Sequence, residues 1–126
     1  MGLIATDKNK ITLYYHSGSS VGKQANAYIA SSDKEILIID ISKTNVPGSH
    51  WAELADNLTI EIAELVDTEH AEFLKTYGDD TANLDKHDWL KLLDKSPHLL
   101  RYPVAIVGEN YIQIKNPSDL EKHIST

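Results

Sequence analysis

The stretch from Ile11 to Ile29, ITLYYHSGSSVGKQANAYI, constrains this chain most, because a strand signal, a Gly/Ser turn and a helix signal follow one another without a spacer. Ile11 through Tyr15 are β-branched, leucine or aromatic, a run suited to one strand. HSGSSVG then brings turn chemistry: Gly18 and Gly22 tolerate positive φ, and the serines can bond their own backbone. Ser19 or Ser20 is placed to cap a helix whose inner face is Val21, Ala25, Tyr28 and Ile29. A strand that runs straight into a helix N-terminus gathers unpaired N–H groups in front of the loop. Such a spot favours an anion or a thiolate.

The letters that follow predict an α/β fold. After a polar turn at Ser31–Glu35, ILIIDI from Ile36 to Ile41 is apolar at nearly every position, as in a strand buried on both faces. Strand, helix and strand make a βαβ unit with parallel strands and a right-handed crossover. NVPGSH, Asn45 to His50, is a break in which Ser49 is the expected N-cap of a helix through Trp51, Leu54, Ala55 and Leu58. Thr59 is expected to cap a further helical run from Ile60 through Leu65 and Val66 toward Phe73 and Leu74, although Ile60 to Ile62 also reads as strand. Thr76–Asn83 is a turn-rich link, and Leu84, Trp89, Leu92 and Leu93 form one helical face that Pro97 ends. Val104–Val107 and Tyr111–Lys115 across Gly108–Asn110 predict a hairpin. Asn116, Pro117 and Ser118 then open a last helix, with Asp119 and Glu121 in its first turn and Leu120 and Ile124 facing inward. Residues 1–10 read as a lead-in, with Gly2–Ala5 offering a little edge pairing. The predicted order is βαβ, a helical insert over about 48–98, then ββα, giving a mixed four-stranded sheet in a single domain over 1–126.

Composition sets the limits of the chemistry. The 126 residues suit one domain, and 41% hydrophobic content suffices for a core. There is no cysteine, so neither disulfides nor thiolate metal sites are available. The opening MGLIATDKNK turns charged too soon for a signal peptide, and no apolar run approaches a membrane span of about 20 residues. The expectation is a soluble cytoplasmic monomer. Twelve basic against nineteen acidic residues give a net charge of −7, a field that repels nucleic acid and anionic lipid.

Two phosphate or thiol motifs can be tested on the loop. A P-loop needs GxxxxGK followed by Ser or Thr; here Ser17 stands at the first glycine and Gln24 at the metal-binding hydroxyl, so nucleotide binding is disfavoured. Over a longer span, ITLYYHSGSSVGKQANAYI resembles the opening strand, active-site loop and first helix of the arsenate reductase (ArsC) and Spx-type family, which has a thioredoxin-like fold. In that register Ser19 lies at the family's redox cysteine, Gly22 at its second Ser or Cys, and Lys23 at its basic residue. HLLRYPVAIV resembles the family's second segment, a basic residue and a cis proline before an apolar strand, with Arg101, Tyr102 and Pro103 in that place. The resemblance implies a cis Tyr102–Pro103 bond. It also implies that the fold is kept while the thiolate chemistry is gone, since a serine hydroxyl has no accessible redox states. His16, Ser17 and Gly18 also depart from the family loop, which usually carries Asn or Ser and a Pro there, in keeping with a natural loss of the cysteine.

What such a scaffold retains is a place to bind. His16, Ser17, Ser19, Ser20, Gly22, Lys23, Arg101, Tyr102 and Pro103 are the candidate ligand residues, with the helix amides, Lys23 and Arg101 converging on a phosphate, sulfate or carboxylate. Tyr14, Tyr15, Tyr28 and Tyr102 are expected to cluster nearby and line a groove for an added peptide strand. The six histidines lack paired ligand spacing and read as scattered surface residues; no metal and no cofactor are expected. Ser19 with His16 lacks the GxSxG frame of a serine hydrolase. The leading reading is a non-catalytic binding or regulatory module for a protein partner or a small anion or thiol. The alternative is a glutathione-dependent oxidoreductase that borrows an external thiol.

Overall fold

The computed structural model describes residues 10–30, 35–78, 84–116 and 118–119. The expected pairing of Gly2–Ala5, the turn at 31–34, the end of the link at 79–83 and the helix beyond Asp119 lie outside them. β1, Lys10–Tyr15, sits where two cores meet. Its alternation sends Ile11, Leu13 and Tyr15 to one side and Tyr14 to the other, and all four are buried. α1, Ser20–Ala30, covers the first side with Ala25 and Ile29. β2, Glu35–Asp40, runs parallel to β1 with Ile11 opposite Ile36, which closes the expected βαβ unit. β3, Val104–Val107, lies antiparallel on the other flank of β1, and β4, Asn110–Gln113, returns beside β3. The sheet order is β2-β1-β3-β4. The hairpin is tighter than the sequence suggested: Gly108, at φ +66°, and Glu109 alone turn the chain, and β4 ends at Gln113.

β2 corrects the expectation of a strand buried on both faces. Among the described residues it is an edge strand of the sheet, and Leu37 is 43% exposed. Its apolar letters face α1 through Ile36 and Ile38, whereas Leu37 and Ile39 border an open groove of about 240 Å³ that Tyr14, Val46 and Pro47 also line. The tally of apolar residues was right; what they pack against depends on a sheet order that no letter in ILIIDI carries.

The second side is filled by the insert, comprising α2 (Gly48–Leu58), a 3-10 turn (Ile62–Leu65), α3 (Ala71–Tyr77), α4 (Lys86–Lys95) and a second 3-10 turn (Pro97–Leu99). Trp51, Leu54, Leu65, Phe73 and Leu93 are fully buried there with Val104 and Ile106 of β3. Phe73 stacks on Trp89 with centroids 5.7 Å apart, and Tyr14 meets Trp51 at 6.2 Å. Burial, with Tyr111 and Glu53 adding to it, pushes the Tyr14 phenol up to about 12, so it stays neutral. Two caps differ from expectation. Pro47, already extended and accepting the His50 N–H, precedes α2, which leaves Ser49 inside the first turn. Thr59 ends α2 instead of starting a helix: at φ +61° it turns its own N–H and that of Ile60 back to Asp56 and Ala55, and a reciprocal Glu61–Glu64 cap begins the 3-10 turn. After β4 the Asp119 carboxylate accepts the Asn116 N–H at 3.1 Å and the Asn116 side-chain oxygen accepts the Ser118 N–H at 3.1 Å; the expected helix beyond Asp119 lies outside the described residues.

The insert also closes onto the segment that leads to β3. Val66 bridges Leu100, the Asp67 N–H donates to the Leu99 carbonyl at 2.7 Å, and the Arg101 N–H donates to the Leu65 carbonyl at 2.7 Å. These bonds fix where Arg101, Tyr102 and Pro103 enter the sheet.

Candidate functional site

The antiparallel register puts Tyr14 opposite Val104, so the end of β1 lies beside the start of β3. The loop from His16 to Ser19 and the segment from Arg101 to Pro103 therefore leave the sheet at the same end. The structure brings the two halves of the expected site together.

Within the loop, the polar groups are committed to one another. Ser19 is the N-cap of α1: its carbonyl accepts the Lys23 N–H at 2.9 Å and its Oγ accepts the Gly22 N–H at 3.1 Å. The Ser19 N–H donates to the His16 carbonyl at 2.9 Å, and the Gly18 N–H donates to His16 Nδ1 at 2.9 Å. Gly22 is glycine because the helix comes close: a Cβ there would stand 3.0 Å from the His16 carbonyl oxygen and 3.2 Å from the Tyr15 ring. Ser20 is exposed and its Oγ receives the Gln24 side-chain amide at 3.3 Å.

One residue that organises the loop was not singled out from the sequence. Asp40, the last residue of β2, accepts the Ser17 N–H at 3.2 Å, the Ser42 N–H at 3.0 Å and the Ser42 hydroxyl at 2.7 Å. Because the Ser42 hydrogen is given to Asp40, the Ser17 hydroxyl, 3.0 Å from Ser42 Oγ, donates into this chain. Desolvation raises the Asp40 carboxyl, but the hydrogen bonds from Ser42 and Ser17 together outweigh it and hold the group below the usual carboxylate range. The signal available in the sequence was Asp-x-Ser directly after an apolar run, an Asx-turn pattern.

The cations do not form the expected clamp. Lys23 is exposed on α1, and the charged partner of Arg101 is Glu69 of the insert, 3.7 Å from its guanidinium, which also lies over the Tyr102 ring at 5.7 Å. Pro103 is buried at the head of β3, and its carbonyl accepts the Ile114 N–H at 2.8 Å. The Tyr102–Pro103 bond is trans, which corrects the expected cis bond. The trans form is favoured by about 0.5–1 kcal/mol for X–Pro, and with it the Arg101 N–H and the Pro103 carbonyl are both bonded. The tyrosines do not cluster either. Tyr14 and Tyr15 are neighbours in β1 and so face opposite sides of the sheet, Tyr15 with Tyr28 and Tyr14 with Trp51.

The histidines, by contrast, are less scattered than their spacing suggested. His16 in the loop, His70 before α3 and His98 in the second 3-10 turn gather at this end of the molecule, His98 lying 6.3 Å from the His16 ring and 5.6 Å from the His70 ring. His98 Nε2 bonds the Glu72 carboxylate, and His70 Nδ1 accepts the Glu72 N–H at 3.1 Å as the cap of α3. Among the described residues, no group of three or more histidines and carboxylates is arranged to hold a metal ion, and no helix is long and apolar enough to cross a membrane.

No protein-family model and no curated protein matches the chain in sequence. Solved structures match its fold. An arsenate reductase from Vibrio cholerae has a TM-score of 0.79 at 12% identity, covering 93% of this chain and 99% of its own. An arsenate reductase (ArsC) related protein from Brucella melitensis has a TM-score of 0.67 at 15% identity, over 93% and 96%. At such identities the likeness is one of architecture, and the architecture is the thioredoxin-like fold with a helical insert that these proteins share.

Proposed function

We propose that this chain is a cysteine-free relative of the arsenate reductases, one domain over 1–126 that binds a partner in the groove between residues 16–23 and 101–104 and carries out no thiol chemistry of its own. The observation that supports this most is the bond from the Gly22 N–H to Ser19 Oγ. At the position where the resembling family keeps its nucleophile, this chain has a hydroxyl engaged as a helix cap, and it has no cysteine anywhere to take over the role. A thiolate can be oxidised and regenerated; a serine hydroxyl has no accessible redox states. This end of the molecule offers an exposed Lys23, an exposed Arg101 beside Tyr102, and the buried Pro103, features suited to a protein segment or a small anion. We place the protein in the cytoplasm as a monomer that meets its partner there.

An arsenate reduction assay with glutathione and glutaredoxin is expected to stay at background, and turnover above background would favour the alternative of an enzyme using an external thiol. In the same preparation, partners captured by the wild-type chain are expected to be lost with Lys23→Ala and Arg101→Ala together. Retention of every partner by that double variant would show the groove to be the wrong surface.

A further inference from the structure

One side of the β2 backbone is bonded to β1, and the other faces away from the sheet. The Ile41 N–H donates to the Tyr15 carbonyl at 2.8 Å, so in the parallel register the N–H and C=O groups of Leu37 and Ile39 also point to β1. Those of Ile36 and Ile38 therefore point outward, and among the described residues β1 is the only strand paired with β2. The Ile36 and Ile38 side chains pack toward α1, while Leu37, exposed, and Ile39 border the open groove beside Tyr14, Val46 and Pro47. Between Glu35 and Asp40 the strand carries no charge and no proline, the usual guards of a sheet edge. An outward ladder and an apolar groove thus lie side by side on residues 36–39.

We propose that β2 is a docking edge for an extended, apolar and uncharged segment of another protein, which adds to the sheet beside it. Alternating donors and acceptors are matched by an extended backbone; a helix spends its own on itself, and a small apolar molecule has none to offer. In antiparallel addition the residue opposite Leu37 stands in a pair whose backbones do not bond, where side chains come closest, and it lies on the groove side with Leu37 and Ile39. Charge selects the same composition. The chain carries −7, yet at the two ends of this edge Lys10, opposite Glu35 in register, and Lys43, just past Asp40, leave no net charge. A second copy fits less well. A two-fold pairing centred on Leu37 sets Glu35 opposite Ile39, and one centred on Ile36 sets it opposite Leu37. One centred on Ile38 calls on the Asp40 carbonyl, which already accepts the Lys43 and Thr44 N–H groups at 3.0 and 2.9 Å. This edge does not depend on the groove between residues 16–23 and 101–104, and neither does its test.

The full chain is titrated with a blocked peptide of alternating valine and threonine while its backbone amides are followed by NMR. Before peptide is added, hydrogen exchange should alternate along the strand, fast at Ile36 and Ile38 and slow at Leu37 and Ile39. At millimolar peptide the Ile36 and Ile38 amides should shift and exchange more slowly, with Leu13 and Ile106 unchanged. The same peptide N-methylated at its threonines, whose N–H groups face β2 when a valine lies opposite Leu37, should not bind. Leu37→Lys, a change at an exposed side chain, should weaken binding about tenfold or more, and Leu37→Val should keep it. Slow exchange at Ile36 and Ile38 in the free chain would mean that the edge is already covered, by the chain itself or by a second copy. Equal binding of the methylated peptide would reduce the site to an apolar groove, and an absence of shifts at millimolar peptide would remove the strand altogether. Each of these results overturns the proposal.

Discussion

The two faces of the sheet are built from different materials. Against the insert, bulk fills the space: Trp51, Phe73 and Trp89 are buried with Leu54, Leu65 and Leu93. Against α1, closeness does: Gly22 and Ala25 let the helix lie on β1, with Ile29, Ile11 and Leu13 behind them. The bulky face supplies most of the burial and so most of the stability, while the close face sets the shape of the loop from His16 to Ser19. The loop can then change with little cost to folding, because its shape and the bulk of the core are set on opposite sides of one strand.

The largest effect should come from the bulky face. Trp51→Ala removes a fully buried indole and is expected to cost about 3–5 kcal/mol in denaturant unfolding. The amide signals of residues 16–19 should hardly move in the fraction that remains folded. Large shifts there would show that the insert shapes the loop more than α1 does.

Gly22→Ala should reverse that pattern. The added Cβ meets the His16 carbonyl at 3.0 Å, and that oxygen is held by the Ser19 N–H. Overpacking typically costs about 1–3 kcal/mol, against a gain of up to about 1 kcal/mol from helix propensity. A net loss of about 1 kcal/mol is expected by thermal unfolding, with the largest shifts in residues 15–19. A stabilised variant would mean that the loop yields easily.

These contrasts also mark what was legible in the letters. β1, the loop and α1 were readable because each depends on neighbours in sequence: alternation, turn residues and a capping serine act within a few positions. The hairpin was readable for the same reason. The edge position of β2 was not, because a run such as ILIIDI has the same composition whether or not a further strand lies beside it. The gathering of His16, His70 and His98 was invisible because only the folding of the insert makes them neighbours. The trans Tyr102–Pro103 bond was missed for a different cause. A family habit was carried over to a bond whose local preference is trans.

Within the loop itself a smaller contrast divides its two ends. The Ser19 end is held by α1 and the Ser17 end by β2. Ser19→Ala removes the acceptor of the Gly22 N–H and is expected to cost about 1 kcal/mol by denaturant unfolding. Ser19→Asn, which restores a capping oxygen, should recover most of it. Failure of Asn to rescue would assign the serine a role other than capping.

At the other end the effect is smaller still and depends on pH. Asp40→Asn keeps an acceptor for Ser17 and Ser42 but removes its charge, and a partly exposed carboxylate loses much of its advantage to solvent, so about 0.5 kcal/mol is expected at neutral pH. The sign follows from the direction of the shift. The Asp40 carboxyl lies below its ordinary range in the folded chain because bonds from Ser42 and Ser17 outweigh its desolvation, so its contribution is present above the unfolded carboxylate value, about 3.9. It is lost as pH falls through the depressed folded value. Stability curves of wild type and Asp40→Asn should therefore run apart at neutral pH and converge below about pH 4, well under the range in which histidines titrate. Convergence already at mildly acidic pH would mean that the β2 end of the loop is held through the histidines and not through Asp40, and the division between the two ends would fall.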